Sequence, residues 1–286
     1  MSADDSPRPL RVACVQTSAG ADPLANRARV RQGIEDAAGY GARLLVLGEK
    51  WACIGEAATI RAGAEPIDGP SVTMVRELAR EHGVAIIAGS LALIGDDGTI
   101  RNTSLAIDSR GELCGAYSKL HMFDVEVGGI EYRESAATAP GGEMVVATVD
   151  GIRVGLTICY DLRFPELYRA LALAGADIIT VPAAFTVPTG TAHWETLVRA
   201  RAIECQLPVL ACGLYGDHEA GKRSWGHSLV VDAWGCVRAC AGEGDAIACA
   251  GLDLAHAREV RRRIPALQHR RQDVYAGPPP GAVQGS

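Results

Sequence analysis

The sequence predicts an α/β fold in which a mixed set of β-strands is covered by helices and gathered into a single domain. Three observations carry that expectation. Apolar runs of strand length alternate with longer stretches whose apolar residues recur at helical spacing. Short turns rich in Asp and Gly join several of the runs, so hairpins interrupt the alternation. A chain of 286 residues that is 48% hydrophobic and 22% charged can bury one large core without dividing.

After a polar leader, 1–9, LRVACVQ (10–16) reads as a buried first strand and 23–39 as a helix with a charged face. RLLVLGE (43–49) is a second strand that ends in a carboxylate. Gly69-Pro70-Ser71 opens a capped helix over 70–82, which leads into VAIIAGSLALI (84–94), a long buried strand. Asp96-Asp97-Gly98 turns the chain towards RNTSLAID (101–108), and Ser109-Arg110-Gly111 turns it again towards ELCGAYSKL. Periodicity lapses from 121 to 143, around Gly128-Gly129 and Gly141-Gly142, which predicts a long functional loop. Strands resume at 144–149 and 152–158, and the second opens directly into CYDLRFPELYRALALAG, a helix with leucines on one face. DIITVP (177–182) is a strand, 191–206 a helix and PVLACGL (208–214) a strand; a polar loop, 215–224, then precedes strands near 226–232, 236–241 and 246–252. The domain spans 10–275, and 276–286 reads as a flexible tail or an oligomer arm.

A net charge of −6 argues against a nucleic-acid surface, which needs a basic face to neutralise phosphates, and favours a small-molecule partner. The first residues, MSADDSPRPL, lack the charged-then-apolar order of a signal peptide, and no apolar run reaches membrane-spanning length. The nine cysteines show neither a C-x-x-C pair nor zinc spacing. An odd number so scattered predicts reduced thiols in the cytoplasm.

Three residues stand where strands stop. Cys159 ends the run IRVGLTI at a strand-to-helix turn, where backbone amides at a helix start lower a thiol's pKa and the thiolate can attack a carbonyl carbon. Taken alone, a cysteine that ends a buried strand is more often a small core residue. Glu49 follows LLVLG directly, so its carboxylate is partly desolvated and suited to taking a proton; the alternative is a solvated glutamate paired with Lys50. Lys119, in AYSKLHMFD, can stabilise an oxyanion or be a surface lysine. Glu134, in EYRES, is a further carboxylate that could orient lysine, water or leaving group.

In this order, and within the segments YSKLHMFDVE, GLTICYDLRFPELYR, PAAFTVPTGTAHWETLVRARAIE, WGHSLVVDAWG and QHRRQDVY, the chain resembles the nitrilase, or carbon–nitrogen hydrolase, superfamily. The resemblance runs from LRVACVQ to QHRRQDVY and implies a four-layer αββα sandwich with a Glu-Lys-Cys catalytic set: Glu49, Lys119 and Cys159. Where nitrilases carry Cys-Trp-Glu, Cys159-Tyr160-Asp161-Leu162-Arg163-Phe164-Pro165-Glu166 resembles the Nit branch. That branch includes amidases of deaminated glutathione and omega-amidases of alpha-keto acid amides, and QHRRQDVY with TGTAHWETLVRARAIE is more similar to the former.

By this resemblance Glu49 is the base, Cys159 forms a thioester with release of ammonia, Lys119 and the Tyr160 N–H hold the oxyanion, and Glu134 supports the geometry of hydrolysis. No metal or cofactor is implied. Arg163 is a candidate for a substrate carboxylate, or else a surface or interface arginine, and Phe185, Thr186 and the loop 215–224 are expected to line the pocket. The lone histidines His193 and His227 are expected to be structural. The resemblance also implies a homodimer or larger homo-oligomer through the helices after Cys159 and Thr191, whose apolar faces (Leu167, Leu171, Trp194, Leu197, Val198) suit core burial as well. One departure stands out: the family usually has Pro before the catalytic glutamate, and here Gly48, with its wider backbone freedom, holds that place.

Overall fold

The computed structural model describes residues 9–275; the rest of the leader and the tail 276–286 lie outside the described residues. Strand β1 (Leu10–Gln16) leads to helix α1 (Pro23–Gly39), whose first amides are capped by the Asp22 carboxylate. Strand β2 (Leu44–Leu47) then runs parallel to β1. A short helix, α2 (Ala57–Ala62), precedes α3 (Pro70–His82), which ends on Gly83 in the left-handed conformation.

The run 84–94 is not one strand but two, β3 (Ala85–Ile87) and β4 (Leu91–Ile94). They part at Gly89, with φ of 59°, where even a Cβ would lie 2.0 Å from the Gly48 carbonyl oxygen. Gly89-Ser90 in the middle of the run are the mark of that break, since a glycine inside a strand pattern signals a kink or a close backbone approach. Both halves pair antiparallel with β5 (Ile100–Ile107), as does β6 (Leu113–Ser118).

The segment 121–143 is likewise more ordered than the long loop expected of it. It holds a hairpin, β7 (Asp124–Val127) and β8 (Ile130–Arg133), turning at Gly128-Gly129, then a single 3-10 turn that carries Glu134. Strands β9 (Val145–Val149) and β10 (Ile152–Leu156) form the next hairpin. The helix expected directly after Cys159 is delayed by a 3-10 turn, Cys159–Arg163, and α4 (Pro165–Leu173) starts at its proline.

After β11 (Ile178–Ala183), α5 (Val187–Cys205) begins four residues earlier than expected because Thr186 caps it and Pro188 sits in its first turn. Beyond β12 (Val209–Gly213), the polar loop is a hairpin of β13 (Tyr215–Asp217) and β14 (Arg223–Trp225). Strands β15 (Leu229–Val231), β16 (Val237–Cys240) and β17 (Ala246–Leu252) precede α6 (Leu254–Arg263) and α7 (Gln272–Tyr275).

Seven strands form one sheet, ordered β17-β1-β2-β3-β5-β4 with β6 on β5, and six form a second, ordered β16-β15-β12-β11-β10-β9. Alternation within the strands assigns the layers. In β1 and β2, Val12, Cys14, Leu44 and Val46 join the second sheet in one core, while Ala13, Val15, Leu45 and Leu47 face α1 and α3 in another. Buried on both faces, such strands are apolar throughout. Helices α4 and α5 cover the far side of the second sheet, giving the expected αββα sandwich in one domain.

Candidate active site

The two sheets meet at a seam where β2, β6, β10 and β11 end, and the four sequence-selected residues converge there. Glu49, Lys119, Glu134 and Cys159 all line one cleft of about 310 Å³. Glu49 lies two residues beyond β2 and is 3% exposed. Its Oε1 accepts from Lys119 Nζ (2.9 Å) and Asn102 Nδ2 (2.9 Å), and its Oε2 accepts from the Ala184 amide (2.9 Å), just past β11 in the other sheet.

These bonds, not the preceding residue, fix the carboxylate. Gly48 has no positive φ; a Cβ there would fall 2.6 Å from Leu214 Cδ2. The glycine therefore makes room for Leu214, and the backbone freedom expected of it is not what the position uses.

Lys119 is 1% exposed and donates to Glu49 and to Glu134 Oε2 (2.7 Å). Burial alone would lower its pKa, but Glu134, Glu49 and the Cys159 sulfur hold it well above the usual lysine range. Glu134 takes four bonds: from Lys119, from Lys50 Nζ (2.7 Å) and Asn102 Nδ2 (3.0 Å) at Oε1, and from the Phe123 amide (3.0 Å) at Oε2. Burial pushes its carboxyl up, yet the Lys119 and Lys50 ammonium groups hold it well below the ordinary carboxylate range.

Cys159 sits at a sharp turn with φ of 48°, a conformation that L-residues with a Cβ adopt only when the surroundings enforce it. The enforcing group is Asp161. Its Oδ2 accepts from the Ile158 amide (2.9 Å) and Tyr117 hydroxyl (2.7 Å), and its Oδ1 accepts from the His121 amide (3.2 Å) and faces His121 Nδ1 at 2.7 Å. Arg201 Nε secures the other end of the turn through the Leu162 carbonyl (3.0 Å).

The thiol itself is 8% exposed. Contrary to the expected activation by a helix start, burial and the Glu49 carboxylate push its pKa well above the ordinary thiol range, against the pull of Lys119. Two carboxylates and two ammonium groups already sum to zero around it, so the resting thiol keeps its proton. Passing that proton to Glu49 leaves the sum unchanged. The arrangement can thus form a thiolate by internal transfer alone.

Arg163 reaches the same cleft. Its guanidinium carbon lies 5.9 Å from the Tyr160 ring centre and 5.5 Å from that of Phe185, and one nitrogen is 3.3 Å from His193 Nδ1. No carboxylate among the described residues makes an ion pair with it. Phe185 leans on Trp194, and Thr186 lines the cleft with its hydroxyl committed to capping α5. His218, Lys222, Arg223 and Ser224 of the 215–224 hairpin line it too. His227 stacks on Trp225.

The carbon–nitrogen hydrolase profile matches residues 11–262. The chain belongs to that family. It is 42% identical over 265 residues to a deaminated glutathione amidase of Yersinia enterocolitica, covering 91% of this chain and 92% of that one. Similarity to the omega-amidase NIT2 of Homo sapiens is 36% identity over 268 residues, 93% and 97% of the two chains. The crystal structure of Saccharomyces cerevisiae Nit3, a member of branch 10 of the nitrilase superfamily, superposes with a TM-score of 0.84 at 30% identity, covering 95% of this chain and 100% of that one.

In this carbon–nitrogen hydrolase, sequence reasoning missed Lys50 and Asn102. Lys50 does not pair with Glu49: its φ of 50° turns it to Glu134 instead. Asn102 had a faint signal, an amide inside a strand otherwise bound for the core, and it bridges both carboxylates. No helix among the described residues is long and apolar enough to cross a membrane.

Proposed function

We propose that this hydrolase is a cysteine-dependent amidase that cleaves the amide bond of a small carboxylate-bearing substrate, deaminated glutathione, through a thioester. Glu49 takes the Cys159 proton and the sulfur adds to the amide carbon. Lys119 Nζ and the Tyr160 N–H stabilise the oxyanion. Glu49 returns the proton to the leaving nitrogen as the C–N bond breaks. Water, deprotonated by Glu49, then attacks the thioester and releases the acid and the thiol. Glu134 holds Lys119 during both steps.

One correction to the expected products follows from the substrate. Ammonia leaves only from a primary amide such as alpha-ketoglutaramate. Deaminated glutathione has a secondary amide, so its leaving group is the cysteinylglycine amine.

The observation that carries the reading is the buried thiol set against Glu49 and Lys119 in a cleft whose lining presents Arg163 without a carboxylate partner among the described residues. A guanidinium so placed suits the carboxylate of the acyl group. The likeness to the Yersinia amidase selects deaminated glutathione within that chemistry. The likeness to the human omega-amidase supports alpha-ketoglutaramate as the second reading.

The deciding experiment compares kcat/KM for deaminated glutathione, alpha-ketoglutaramate and a simple nitrile. A tenfold advantage for alpha-ketoglutaramate, about 1.4 kcal/mol of transition-state binding, would replace the first reading by the second. Cys159→Ala is expected to abolish acid release while leaving the far-UV spectrum unchanged. Full residual turnover would overturn the mechanism. The reading also includes a cytoplasmic homodimer or larger assembly, supported by nine free cysteines and by exposed Leu173 and Ile203 on α4 and α5.

A further inference from the structure

Deaminated glutathione and alpha-ketoglutaramate deliver the same acyl group to Cys159, so Arg163 on the acyl carboxylate cannot tell them apart. They differ on the leaving side, where one carries ammonia and the other a dipeptide that ends in a second carboxylate. Two residues extend at most about 7 Å, which brings that carboxylate from the sulfur towards the cleft mouth.

Three segments meet at that mouth: the stretch before α2, strand β8 and the β13–β14 hairpin. Their charged groups are unequal. Arg133 is exposed and paired with Glu131, and Arg223 is engaged with Asp217 and Tyr215. Lys222 is different. Its ammonium lies 5.2 Å from the Tyr132 ring centre and 2.7 Å from Glu56 Oε1, with the lysine side chain 20% exposed and the glutamate 50% exposed. Glu56, Tyr132 and Lys222 all line the cleft. Glu219 is already occupied by the Glu56 amide (2.8 Å) and the Thr59 hydroxyl (2.7 Å), which leaves Glu56 as the partner nearest the ammonium.

We propose that Lys222 binds the terminal carboxylate of a dipeptide leaving group, with Glu56 holding its place until the substrate carboxylate replaces it. The inference rests on the amidase reading above. An exposed ion pair contributes little to stability, so a half-exposed glutamate can exchange for a substrate carboxylate at small cost. The aromatic face of Tyr132 keeps the ammonium in position during the exchange. Lys222 thereby reads the part of the substrate that Arg163 does not reach, and specificity is set on the leaving side.

The test uses the full chain and three amides: deaminated glutathione, its C-terminal carboxamide, and alpha-ketoglutaramate. Wild type is expected to favour the free acid over the carboxamide about tenfold or more in kcat/KM, equal to about 1.4 kcal/mol. Lys222→Met should collapse that ratio towards one, Lys222→Arg should preserve most of it, and Glu56→Gln should lower KM for the free acid. A wild-type ratio near one, or a Lys222→Met ratio still near that of wild type, would overturn the proposal. So would an equal loss on acid and carboxamide, which marks a purely structural clasp. A rise in KM for Glu56→Gln would remove the exchange. If wild type turns over alpha-ketoglutaramate and neither tripeptide amide, the substrate reading itself has failed and this proposal falls with it.

Discussion

At Cys159 the chemistry depends on where one proton rests. Wild type surrounds the thiol with two carboxylates and two ammonium groups, and the thiol stays neutral. Glu49→Gln leaves two ammonium groups against Glu134 alone, a surplus of one positive charge that favours the thiolate. Iodoacetamide is therefore expected to alkylate Cys159 at lower pH in Glu49→Gln than in wild type, while amide turnover falls by about 1,000-fold or more for want of a proton carrier. A higher alkylation pH in the variant would contradict the electrostatic account.

Lys50 supplies a second test at this scale. Removing one partner of a buried pair costs about 3–5 kcal/mol, so Lys50→Met should lower the urea midpoint accordingly at neutral pH. The folded-state pKa of Glu134 is depressed, so its stabilisation is present above the ordinary carboxylate range and is lost as pH falls through its lowered value. The gap between variant and wild type should then narrow in acid. The residues legible in the sequence were those at strand ends. Lys50 and Asn102 were not, because their partners lie 84 and 53 residues away respectively, at Glu134 and Glu49.

Elements decide how firmly those residues are held. The Cys159 turn is tied by Asp161 to β6 and by Arg201 to α5, so the backbone of the proposed nucleophile is set by two neighbouring elements as well as its own strand. Gly48 belongs to the same scale. Gly48→Ala forces a carbon against Leu214 and is expected to cost about 1–3 kcal/mol in chemical denaturation, with Leu214→Ala in the same chain recovering part of it. Additive losses would show that the two do not share space. Strand and helix positions were readable from periodicity, and their interruptions were marked only by short glycine signals. Gly89 interrupts one apolar run, and Gly128-Gly129 turns a hairpin whose four-residue strands, DVEV and IEYR, alternate but are too short to stand out within 121–143.

Across the whole molecule the site is a seam property: Glu49 and Lys119 come from one sheet, and Cys159 and the Ala184 amide from the other. The apolar faces first considered for assembly, Leu167, Leu171, Trp194 and Val198, are spent on the chain's own core. Ile203 and Trp234 remain exposed, and Gly235 beside the tryptophan abuts Ile203. For the proposed oligomer, Ile203→Glu with Trp234→Glu is expected to reduce the mass seen by light scattering to that of one chain; an unchanged mass would move the interface elsewhere. The sequence by itself determined the α/β class, because apolar periodicity is local, while its family-like segments nominated Cys159, Glu49 and Lys119 as the proposed catalytic set. Only the tertiary structure decided that Lys50 completes the charge balance, that Asn102 bridges the two carboxylates, that burial and Glu49 favour the protonated thiol, and that Lys222 lines the cleft. Charge compensation in a buried site is a sum over groups that the chain brings together only when the two sheets close on each other.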